Sequence, residues 1–158
     1  MADFTLADAA IEVCEAHLNA TGTAGTEVEA FLTRYLAVLT YAVFEDEFRE
    51  IIEARAAAIT DQHGAFYVRA SRDNVFRGLK IGELGKYLGK FNPECQQAFQ
   101  TAVHNTPAHV SYDNILNGRH ITAHDSGTNM TFGEFREAFE KAKAVIDAFE
   151  QSINKAPA

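Results

Sequence analysis

The sequence predicts an all-α, single-domain helical bundle of five to six helices. Three observations carry that expectation. Apolar residues recur near a 3.6-residue period along almost the whole chain. The alternating pattern of a half-buried strand is missing, apart from the ambiguous Ala65-Phe66-Tyr67-Val68. Helix-start signals stand at the head of several periodic stretches. The 158 residues fit one domain spanning 1–158, with no internal repeat and no linker long enough to divide it.

Element by element, Thr5 is expected to cap a first helix reaching about Leu18, with Leu6, Ala10, Val13 and Leu18 inward and Thr21-Gly22 as its stop. Thr26 and Glu29 have the spacing of a capping box. The long helix they head carries the stripe Val28, Phe31, Leu32, Tyr35, Leu39, Val43, Phe48, Ile51 and Ile52, and Thr60, His63 and Gly64 close it. Gly78, Gly82, Gly85 and Gly89 weaken the next stretch, where Leu79, Leu84, Tyr87, Leu88 and Phe91 still suggest a short helix. Asn92-Pro93 reads as an N-cap followed by proline at the first helical position, opening a helix to about His104. Thr106-Pro107 breaks the chain before a helix from about Ala108 with Val110, Ile115, Leu116 and Ile121, ending near Asp125-Ser126-Gly127. A second capping box, Thr131 with Glu134, heads a last helix whose stripe is Phe135, Phe139, Ala142, Val145, Ile146, Phe149 and Ile153.

Composition excludes several classes of protein. Cys14 and Cys95 are the only cysteines, too few for a disulfide framework or a four-cysteine zinc site, and they read as small buried apolar residues. The chain shows no basic amino-terminal stretch ahead of an apolar run, and no apolar segment nears the roughly 18–20 residues a membrane span needs, so a soluble cytoplasmic protein is expected. The net charge of −8 argues against non-specific nucleic-acid binding. The charge is uneven, however: Arg69, Arg72, Arg77, Lys80, Lys86 and Lys90 make residues 61–90 locally basic. That segment is either a solvated helix face or a basic surface.

Chemistry-bearing motifs are few. A P-loop, a dinucleotide-binding glycine fingerprint, H-E-x-x-H, G-x-S-x-G and an EF-hand loop are all missing. Histidine stands out, with His104, His109, His120 and His124 close together in sequence beside Asp113 and Asp125. His120 and His124 are i, i+4 neighbours, but a metal site would need a third ligand, and no metal or cofactor is expected. The more informative string runs from Asn114 to Gly127, in which Arg119 precedes His124 by five residues. It sets a permanent cation and a group that titrates near neutrality close to one helix terminus. On an ideal helix the two stand about 140° and roughly 7.5 Å apart, so convergence needs the reach of the arginine or a loosened last turn. A guanidinium can hold two phosphate oxygens while an imidazole moves a proton, which suits phosphate chemistry.

A penultimate helix ending in Arg119-His120-Ile121-Thr122-Ala123-His124, followed by Asp125-Ser126-Gly127 and an amphipathic terminal helix, resembles the HEPN superfamily of nucleotide-binding domains. The long helix carrying Glu45 and Glu47 is similar to that family's long early helix, and the resemblance covers about residues 27–153. It implies a metal-independent endoribonuclease, working as a homodimer with the site at the interface, in a toxin–antitoxin or anti-phage defence setting with an antitoxin or other system protein as partner. Arg119 and His124 would be the catalytic pair, with His120, Asn117, Asn114 and Glu45 in supporting positions. Arg69, Arg72, Arg77, Lys80 and Lys86 would contact RNA. The sequence departs from the common histidine–glycine ending, because Asp125 and Ser126 intervene. The alternative function is a non-catalytic helical dimerisation module that recognises a protein partner or a nucleotide.

Overall fold

The computed structural model describes residues 2–72, 78–121 and 130–155, and only the backbone of residues 119–121. Among the described residues there are seven helices and no strand: α1 (Thr5–Thr21), α2 (Glu27–Ala57), α3 (Gln62–Ser71), α4 (Ile81–Gly89), α5 (Pro93–Val103), α6 (Pro107–Ile121) and α7 (Phe132–Ile153). The architecture is the expected all-α bundle, with one or two helices more than anticipated. The additional one is α3, formed by the stretch that contained the ambiguous apolar run. Asp61 starts it by accepting the backbone N–H groups of His63 and Gly64 at 3.3 and 2.8 Å. The long helix therefore ends at Ala57, before the residues expected to stop it.

Helix α7 organises the core. Its capping box is complete: Thr131 N–H donates to Glu134 Oε2 at 2.8 Å and Glu134 N–H to Thr131 Oγ1 at 3.3 Å. The expected stripe from Phe135 to Ile153 is buried against α2, α5 and α6. Aromatic rings fill the centre. Phe44 of α2 stacks on Tyr112 of α6 at 5.5 Å and on Phe139 of α7 at 6.1 Å, and Phe149 meets Phe48 edge-on at 4.9 Å. Asn92 caps α5 by accepting Glu94 N–H at 3.0 Å, with Pro93 in the first turn, as the sequence indicated.

Two faces differ from expectation. In α1 the buried residues are Ala7, Ile11, Cys14 and Leu18, whereas Leu6 and Val13 are exposed. The buried set keeps unbroken i, i+4, i+7, i+11 spacing, while the alternative stripe would require His17 on its fourth turn. Thr5 does not cap this helix; Asp3 Oδ1 instead accepts Thr5 N–H at 2.9 Å. In the first half of α2 the core face is Thr33, Leu36, Ala37, Thr40 and Tyr41, and Val28, Phe31 and Tyr35 face solvent. Its start also departs from a capping box. Thr26 Oγ1 accepts Val28 N–H at 3.2 Å, and Glu29 accepts the N–H groups of Gly25 at 2.5 Å and of Phe132 at 2.7 Å, tying α2 to the head of α7. Those two backbone donors hold the Glu29 carboxyl below its ordinary range. Cys14 and Cys95 are buried free thiols, as expected. No helix among the described residues is long and apolar enough to cross a membrane.

Candidate functional site

The fold brings the last turns of α6 against α2 and α7. A side chain at Gly118 would touch Ala37 Cβ at 3.5 Å, so α6 crosses α2 closely one residue before Arg119. Beside this crossing lies a cavity of about 470 Å³, walled by Thr33 and Ala37 of α2, Asn114 and Asn117 of α6, and Glu134, Glu137 and Lys141 of α7. Across α6 is a larger cavity of about 900 Å³. Its walls are the start of α4 with Lys80 and Gly82, the end of α5 with Gln100 and His104, and His109, Asp113 and Asn117 of α6. Asn117 faces both.

Of the residues singled out in the sequence, Asn114 and Asn117 thus stand on cavity walls directly before the arginine. The backbone of Arg119 and His120 belongs to α6, but their side chains, together with all of His124 and Arg77, lie outside the described residues. Glu45 lines neither cavity and pairs with Arg49 one turn along α2. The basic segment divides. Arg69 of α3 and Arg72 just after it share Glu53, at 2.7 and 3.6 Å, and Lys86 pairs with Glu83 at 2.9 Å. The Arg69 hydrogen bond is the main reason the Glu53 carboxyl is held below its usual range. Lys80 lines the larger of these two cavities, and Arg69, Arg72 and Lys86 line neither.

Two of the four histidines that cluster in the sequence are brought together by the fold. His104 and His109 face each other with ring centroids 5.8 Å apart, and His109 Nε2 lies 3.3 Å from Asp113 Oδ2. The i, i+4 spacing of His109 and Asp113 was the available signal. Among the described residues no group of three or more histidine, cysteine or acidic side chains could hold a metal ion.

An all-helical bundle in which an arginine-bearing penultimate helix leads into a capped terminal helix is the architecture of a HEPN-like domain. A family model bears this out: that of RiboL-PSP-HEPN matches residues 7–155, and the chain belongs to this HEPN family. The match begins inside α1, earlier than the extent read from the sequence. Salt bridges from Lys143 to Asp8 at 2.9 Å and from Arg136 to Glu15 at 2.5 Å hold α1 on α7. No curated protein and no solved structure matches the chain. Family membership points to nuclease or RNA-related chemistry.

Proposed function

We propose that this chain is a metal-independent endoribonuclease of HEPN type, acting in the cytoplasm as a homodimer with its site at the subunit interface. The observation that carries this reading is the family match over 7–155 in a chain whose Arg119-to-His124 string joins the last turn of α6 to the approach to α7. In this mechanism Arg119 binds the scissile phosphate and neutralises the charge that develops on it. His124 takes the proton of the neighbouring 2′-hydroxyl, whose oxygen attacks phosphorus. The bond to the 5′-oxygen breaks as that oxygen takes a proton from water, to which the protonated His124 returns its own, and the products are a 2′,3′-cyclic phosphate and a 5′-hydroxyl. His120 orients the catalytic histidine or contacts RNA, and Asn114 and Asn117 offer amide groups from the cavity walls. Such an activity suits a toxin–antitoxin or anti-phage system, restrained or triggered by a partner protein. The test is RNA cleavage by the full chain in EDTA. Activity should persist in the wild type and fall at least about 100-fold in Arg119→Ala with folding retained, whereas a requirement for added metal would contradict the mechanism.

A second reading, a non-catalytic dimerisation or binding module, is favoured by the outer stripe of α2. Phe31 and Tyr35 are 68% and 52% exposed there, flanked by Val28 and Val38. A folded dimer that binds but cleaves no RNA would support it.

A further inference from the structure

The larger cavity gathers Lys80, His104 and His109 on its walls, and the backbone that carries Lys80 is anchored by a buried hydrogen bond. Leu79 is buried in the left-handed region, at φ 50°, a conformation that costs a non-glycine residue on the order of 1 kcal/mol. It is fixed there by Tyr112, whose hydroxyl donates to the Leu79 carbonyl at 2.8 Å. Complete burial pushes the Tyr112 phenol well above its ordinary range, so it remains a donor. This anchor sets Lys80 at the head of α4. There the first helical bonds run from Glu83 and Leu84 to the Lys80 carbonyl, leaving the N–H groups of Ile81 and Gly82 outside the helical ladder. Open space adjoins Gly82. Asn105, also left-handed at φ 60°, turns the chain between α5 and α6 and so brings His104 to His109.

The charges on the walls are those of Lys80, the two imidazoles when protonated, and Asp113, whose carboxylate is directed at His109. Lys80 makes no salt bridge among the described residues, although it adds to the field that lowers the Glu83 carboxyl. His109 Nδ1 and both His104 nitrogens make no hydrogen bond to a described residue, which leaves donors for a ligand. A cavity of about 900 Å³ holds more than an isolated phosphate ion and suits a nucleotide unit. Through Asn117 it adjoins the turn that carries Arg119.

We propose that Lys80, His104 and His109 hold a phosphate of the RNA strand in this cavity, a phosphodiester other than the one cleaved. The assignment of that phosphate to RNA rests on the ribonuclease reading; the capture of phosphate itself does not. The experiment has two arms on the full chain. Histidine ring resonances are followed by NMR during titration with inorganic phosphate and with a nucleoside 5′-monophosphate. Binding of a labelled oligonucleotide protected by 2′-O-methyl groups is then measured by fluorescence anisotropy for wild type, Lys80→Ala and His109→Gln, alongside RNA cleavage.

The expected result is that the His104 and His109 resonances shift together while that of His63 stays still, and that each variant weakens oligonucleotide binding by about tenfold at an unchanged melting temperature. Unmoved resonances together with unaltered binding would overturn the proposal. Shifted resonances with oligonucleotide binding indifferent to both variants would overturn the assignment to RNA, leaving a free nucleotide or phosphate as ligand. Cleavage that is normal in the wild type and in both variants would sink this inference alone. Binding that depends on Lys80 and His109 in a protein that cuts no RNA would sink the ribonuclease reading and leave the phosphate site standing.

Discussion

The two cavities that meet at Asn117 have opposite chemistry. The one between α2 and α7 presents Glu134 and Glu137 against the single amine of Lys141, over an apolar floor that includes Ala37 and Phe135. The one beside α4 presents Lys80, His104 and His109 against the single carboxylate of Asp113. Beside the end of α6, two carboxylates and one amine stand on one side, and on the other Lys80 and Asp113 with two imidazoles that add positive charge only when protonated. The phosphate we propose is held on the second side, by Lys80, His104 and His109. The net charge of −8 is therefore a poor guide to what this surface accepts, because the local arrangement of charge sets the field a ligand meets.

The contrast can be broken from behind the cationic cavity. Tyr112→Phe removes the hydroxyl that holds Leu79 and leaves its carbonyl without that partner. The expected cost is about 1–3 kcal/mol in chemical denaturation, accompanied by loss of phosphate binding. A variant as stable as the wild type with full phosphate affinity would show that the anchor does not shape the cavity. A smaller change sharpens the comparison from the other side. Thr131→Ala removes the capping hydroxyl beside Glu134 and should cost about 1 kcal/mol, near 3 °C in melting temperature, while phosphate binding stays unchanged.

The smallest effect concerns Glu29, which joins the heads of α2 and α7. A carboxylate held below its usual pKa stabilises the folded chain above the carboxylate range, and that contribution is lost as pH falls through the lowered value. The melting temperature of the wild type should therefore fall further than that of Glu29→Gln between about pH 5 and pH 3. Parallel curves would show that Glu29 adds nothing through its charge.

Helix α7 was legible in the sequence because its cap, its stripe and its packing all agree, from Thr131 to Ile153. The first half of α2 was not, because two threonines occupy its core face while aromatic residues lie outside. Thr33 turns its hydroxyl to the Glu29 carbonyl at 2.9 Å, which lowers the cost of burying it and frees the periodic apolar positions for solvent. The candidate site shows the same division. The order of Arg119 and His124 along the chain can be read locally, and so can the placing of Asn114 and Asn117 on the same helix. The cationic cavity cannot, since Lys80, His104 and His109 are joined by tertiary packing and by two left-handed residues, Leu79 and Asn105, that no periodicity announces.

We propose that this HEPN domain cleaves RNA through its own side chains. The most direct test incubates RNA with the wild type and with His124→Ala in EDTA and maps the product ends. The wild type should give 2′,3′-cyclic phosphate and 5′-hydroxyl ends, and a folded His124→Ala variant none. Equal cleavage by the variant, or cleavage only after metal is restored, would contradict it.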